Sequence, residues 1–148
     1  MMLGENNVPY LSKANEYHVD GRRVYRSADD VSDFIQGKLK LQDYAEEYCY
    51  CLCFDNAGHL NGCFEVSHGT VNGSLVSARE VLQKALMLGA VSIILTHNHP
   101  SGDPTPSEDD VKVTKKIESA SEIIGIQLLD HIVVGRFGSY SMKYNSLF

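Results

Sequence analysis

The stretch Val91-Ser92-Ile93-Ile94-Leu95-Thr96-His97-Asn98-His99-Pro100-Ser101-Gly102-Asp103 decides how the rest of the chain is read. Val91 to Leu95 is an apolar run of strand length, which predicts a buried strand. That strand delivers two imidazoles at its carboxyl end. Residues i and i+2 of extended backbone project from the same face, so His97 and His99 can grip one metal ion with little distortion. A carboxylate beyond the turn that follows, such as Asp110, would supply a third ligand. Two His, one Asp and a position left for water form the catalytic rather than the closed structural kind of zinc site. The spacing therefore points to a metal-dependent hydrolase.

Downstream, Pro100 to Pro106 holds three of the four prolines and Gly102, which makes it a constrained loop. Ser107 then opens a helix expected to run to about Ile124 and to end at Gly125. Ser107 and Asp110 have the spacing of a capping box, a pattern also present at Ser27 and Asp30. The two readings of Asp110, as cap and as ligand, are compatible. Asp103, Glu108 and Asp109 compete with it for the ligand position, and spacing does not choose among them.

Upstream, residues 1–26 read as an N-terminal arm with one or two short strands, and 27–148 as the single domain proper. A helix with Ser27 as N-cap carries the apolar stripe Val31, Phe34, Ile35, Leu39 and Leu41. Glu47 to Asp55 reads as a strand, Asn56-Ala57-Gly58 as a turn, and Leu60 to Ser67 as the next strand. Gly69, Gly73 and Ser74 mark a loop. A second helix spans about Ser77 to Leu88, with Gly89 as its C-cap residue. Ile126 to Val134 and Phe137 to Met142 are the last two strands. This order gives an α/β domain with a mixed β-sheet flanked by helices.

Composition bounds the function. At 148 residues, 43% apolar and 22% charged, the chain can bury its own core without staples. Its net charge of −6 disfavours a protein that depends on phosphate contacts, so direct nucleic-acid binding is not expected. The basic groups Arg22-Arg23 with Arg26, and Lys112 with Lys115-Lys116, read as solvated loop and helix face. No apolar stretch nears the roughly 18 residues that cross a bilayer, and no signal pattern opens the chain. A cytoplasmic protein with no membrane contact is expected. Cys49, Cys51 and Cys53 would share one strand face, and with Cys63 they read as reduced, buried small hydrophobes.

A metal-assisted hydrolase also profits from a carboxylate that relays a proton. Glu46, Glu47, Glu65 and Glu80 are the candidates, and spacing alone leaves them open.

These residues resemble the pattern of the JAMM (MPN/JAB) metalloprotease superfamily, and within it the RadC-like proteins. That pattern is an upstream Glu, then His-x-His-Pro, six residues, Ser, two residues and Asp. Here it is met by His97-Asn98-His99-Pro100, Ser107 and Asp110. The RadC-like character comes from the continuation Ser101-Gly102-Asp103-Pro104, with Pro106-Ser107, Ser67-x-Gly69-Thr70, Arg79-Glu80 and Asp130-His131. The resemblance covers about residues 27–148 and implies a single MPN/JAB domain of cytidine-deaminase-like architecture. It implies zinc held by His97, His99 and Asp110, with Ser107 stabilising an oxyanion. Glu47 best matches the general base, with Glu65 in reserve.

The activity implied is hydrolysis of amide or isopeptide bonds in a peptide or protein substrate. Two other readings stand beside it: a non-catalytic MPN scaffold, and an accessory protein of DNA repair, the family's historical label. Longer RadC-like proteins carry an N-terminal helix-hairpin-helix region, which is not expected here. This chain also has Ala78 where relatives often have Pro. An exposed strand edge would permit a homodimer.

Overall fold

A computed structural model describes residues 2–3, 9–10, 24–25, 28–69 and 76–148. In the arm, β1 (Met2–Leu3) and β2 (Pro9–Tyr10) pair antiparallel. Val24 bridges His59, which ties the start of the domain to the sheet. The expected N-cap Ser27, the Gly73-Ser74 loop and the Arg22, Arg23 and Arg26 group lie outside the described residues.

The domain is built on a five-stranded sheet in the order β4-β3-β5-β6-β7. Its strands are β3 (Glu47–Phe54), β4 (Leu60–Gly69), β5 (Ser92–Asn98), β6 (Gln127–Gly135) and β7 (Gly138–Ser141). Only β5 and β6 run parallel; the other neighbours are antiparallel, so the sheet is mixed as expected. Parallel strands need a long crossover. It is supplied by α3 (Glu108–Ile124), while α2 (Ala78–Met87) precedes β5. Among the described residues no helix is long and apolar enough to cross a membrane.

Side-chain alternation along the central strands builds two cores. On one face Cys51, Cys53, Ile93 and Leu95 meet Val81, Leu82 and Ala85 of α2 and Val113 and Ile117 of α3. On the other, Tyr50, Leu52, Phe54, Ile94, Ile132 and Val134 meet the first helical segment. All four cysteines are free and buried, in keeping with their reading as small hydrophobes.

That first segment departs from the single helix expected to Leu41. The α1 helix (Ala28–Phe34) passes into a π-helical turn at Ile35–Leu39. Lys40 is left-handed at φ 52°, and a 3-10 turn follows at Leu41–Asp43. At roughly 100° per residue, a regular helix would turn Leu41 about 120° away from Ile35. The break at Lys40 returns it to the sheet, and Ile35, Leu39 and Leu41 are all fully buried.

The loop after β5 is docked on the end of β6. The His99 amide donates to the Val134 carbonyl at 2.9 Å, and the Phe137 amide to the Gly102 carbonyl at 3.2 Å. Backbone meets backbone so closely that a Cβ on Gly135 would lie 2.3 Å from the Gly102 oxygen. Gly135→Ala is therefore expected to cost about 2–3 kcal/mol in urea unfolding, the upper range for overpacking. Gly62→Ala, whose Cβ would press only the movable Leu88 side chain, should cost about 1 kcal/mol. Equal losses in the two variants would contradict this docking.

Candidate metal centre

Three elements converge at the carboxyl end of β5. His97 lies on the strand's α2/α3 side, in phase with Ile93 and Leu95, and is fully buried. His99 follows the strand, and its amide bond to Val134 prolongs the ladder by one residue. That keeps the chain extended long enough for both rings to point the same way. Asp110 comes from the first turn of α3, where the capping box forms as the spacing predicts. The Asp110 amide donates to Ser107 Oγ at 3.1 Å, and the Ser107 amide donates to Asp110 Oδ2 at 2.8 Å. The cap fixes the carboxylate, and the positive end of the helix favours its charge.

The resulting triangle is tight. His97 Nε2 and His99 Nε2 are 3.0 Å apart, and Asp110 Oδ2 lies 3.3 Å and 3.2 Å from them. A tetrahedral ion with bonds of about 2.0–2.1 Å needs ligand atoms about 3.3–3.4 Å apart, so the set is near the size that such a cation requires. The far nitrogens are already engaged. His99 Nδ1 donates to the Asp103 carbonyl at 2.9 Å, and His97 Nδ1 sits 2.7 Å from His131 Nε2. The three atoms facing inward are those left to bind a cation. His97 and Asp110 are sealed, while His99 keeps 14% of its side chain exposed and Ser107 is exposed. The site is open on one side.

Electrostatics agree with the geometry. Burial alone would raise the Asp110 carboxyl, but the His97 and His99 imidazoles packed against it override this and hold it well below the usual carboxylate range. His99 is raised, chiefly by its hydrogen bond to Asp110 and against its burial. Burial, with the neighbouring His97, pushes His131 well below the usual histidine range. Burial, with the charges of Asp110 and Glu47, pushes the Cys49 thiol up to about 12.

The competing carboxylates are placed elsewhere. Asp103 accepts from the Thr105 amide and hydroxyl at 3.0 and 2.8 Å, and Glu108 and Asp109 are exposed. Among the four glutamates, Glu47 opens β3 two residues from Cys49, which pairs with His97. Its charge reaches both Cys49 and His99, raising each. Glu65 pairs with Tyr50, and so shares the α1 side of the sheet, where it contacts His68 at 3.3 Å. Glu46 and Glu80 are exposed.

Asn98, to which neither spacing nor the resemblance assigns a role, turns to the opposite face from His97. Its Oδ1 accepts from the Tyr48 amide at 2.7 Å, and its Nδ2 donates to the Glu46 carbonyl at 2.9 Å. The two bonds clamp the backbone on either side of Glu47. An Asn between two in-phase histidines on a strand is the signal that could have found it.

The geometry agrees with what comparison reveals. Residues 25–147 match the family model described as the RadC-like JAB domain. The chain is similar to a UPF0758 protein of Chlorobium phaeovibrioides, 39% identical over 136 residues, covering 92% of this chain and 60% of that one. It is 37% identical to a UPF0758 protein of Syntrophomonas wolfei, covering 85% of this chain and 54% of the relative. A UPF0758 protein of Thermotoga maritima is 33% identical, with coverage of 83% and 59%. The chain thus spans little more than half the length of these relatives.

Because Ser107 caps α3 through its hydroxyl, Ser107→Ala is expected to lower stability by about 1 kcal/mol in urea unfolding. Zinc affinity should change little, since the Ser107 amide still holds Asp110. An undiminished stability would mean that the cap bond does not form in solution.

Proposed function

We propose that this chain, which belongs to the RadC-like JAB domain family, is a zinc-dependent hydrolase of amide or isopeptide bonds. The observation that carries this reading is the convergence of two imidazole nitrogens and one carboxylate oxygen within 3.3 Å, on a site open at His99. His97 Nε2, His99 Nε2 and Asp110 Oδ2 would hold the ion. When bound, zinc would acidify a water and polarise the scissile carbonyl.

The chain's own groups supply the rest. The Glu47 carboxylate, whose flanking backbone Asn98 clamps, would take a proton from the attacking water and hand it to the departing nitrogen. Water is thereby added across the C–N bond, its oxygen to the carbonyl carbon and its proton to the amine. Ser107 Oγ accepts from the Asp110 amide, so its own proton is free to donate to the developing oxyanion. The buried His97 and Asp110 form the closed wall, and the substrate enters past His99 and Ser107.

The test is to incubate the zinc-loaded chain with a proteome-derived peptide mixture containing lysine-branched isopeptides. New amine and carboxylate ends are then counted by mass spectrometry. Wild type should generate such ends, and Glu47→Gln should cut the rate by at least about 100-fold with zinc content unchanged. An undiminished rate in Glu47→Gln would remove Glu47 as the base. No cleavage by a zinc-loaded wild type would favour the scaffold reading.

A further inference from the structure

Behind His97 lie two buried residues that the mechanism above does not use, Thr114 and His131. They form a continuous chain of short contacts. Thr114 Oγ1 lies 2.7 Å from the Asp110 carbonyl and 2.6 Å from His131 Nδ1. His131 Nε2 lies 2.7 Å from His97 Nδ1.

The protons can be assigned by counting from the carbonyl end. A carbonyl oxygen only accepts, so the single hydroxyl proton of Thr114 goes to Asp110. Thr114 then offers His131 only lone pairs, and His131 Nδ1 must carry the proton between them. With its ring proton on Nδ1, the buried His131 is left with a bare Nε2 that accepts. The remaining proton belongs to His97 Nδ1. His97 Nε2 therefore presents a lone pair toward His99 and Asp110.

We propose that Thr114 and His131 are a positioning relay that fixes the proton of His97 on Nδ1 and so keeps its Nε2 free for the metal. The inference rests on the reading of His97, His99 and Asp110 as metal ligands. Without an acceptor at Nδ1, the proton is free to sit on Nε2, where the Asp110 carboxylate attracts it. An arriving ion would then have to expel it. The relay starts on the backbone of Asp110 itself, so the first turn of α3 both supplies one ligand and orders another. Outer-shell partners that fix a ligating histidine's tautomer act in this way on metal affinity.

Two measurements on the full chain test the relay. The first is ¹⁵N–¹H imidazole spectroscopy of the metal-free protein, which reads the tautomer of His97 directly. The second is zinc affinity by chelator competition. Wild type should show the His97 proton on Nδ1. His131→Leu should move that proton toward Nε2 and weaken zinc binding about 10–100-fold. The near-isosteric Thr114→Val should act in the same direction to a smaller extent, and it carries the test if His131→Leu does not fold. His131→Gln restores an acceptor and should recover most of the affinity. A wild-type His97 protonated on Nε2 overturns the relay, as does wild-type zinc affinity in both His131→Leu and Thr114→Val. A wild type that binds no zinc overturns the metal reading itself, and the relay's role falls with it.

Discussion

Two imidazole nitrogens and a carboxylate oxygen are held within 3.3 Å of one another, and the elements around them are arranged to keep them there. Two lone-pair nitrogens and a carboxylate oxygen repel at that distance unless a cation lies among them. A proton can serve in part, which is why His99 is raised and Asp110 lowered. A dication satisfies all three at once. The fold supplies the force that keeps them together: a strand ladder for His97 and His99, and a helix cap for Asp110.

Each supporting element has a second role. Sheet alternation sends Ile93, Leu95 and His97 to the α2/α3 face, so the same phase that fills one core aims a ligand. Ser107 caps α3 and stands at the open side of the site. Asn98, in the opposite phase, holds the start of β3 against the end of β5 and with it the backbone of Glu47. The contact of Gly135 with Gly102 seats the loop whose Asp103 carbonyl orients His99. Fold stability and site geometry are thus drawn from the same bonds.

Much of this was legible in the sequence, and for identifiable reasons. Ser107 and Gly125 bracket α3 as N- and C-cap, and the run from Ile93 to Leu95 marks a central strand. The break at Lys40 was not legible, because it is imposed by the need to bury Leu41 on a sheet formed elsewhere in the chain. Spacing left Asp103, Glu108, Asp109 and Asp110 equivalent, and the resemblance supplied the choice. Physically, the phase of the first helical turn separates them, turning Asp110 inward and its two predecessors outward. The difference between Glu47 and Glu65 depends on the irregularity in the β3–β4 pairing between Cys49 and Tyr50, which no local pattern announces. Thr114 and His131 meet only after α3 crosses back over the sheet.

Elemental analysis of the purified chain reads whether His97, His99 and Asp110 hold a metal ion. Close to one zinc per chain is expected in wild type and a loss of most of it in His99→Ala, with both proteins folded by circular dichroism. Absence of zinc from the wild type, even after incubation with the metal and removal of excess, would contradict this metal site. So would full retention of zinc in His99→Ala.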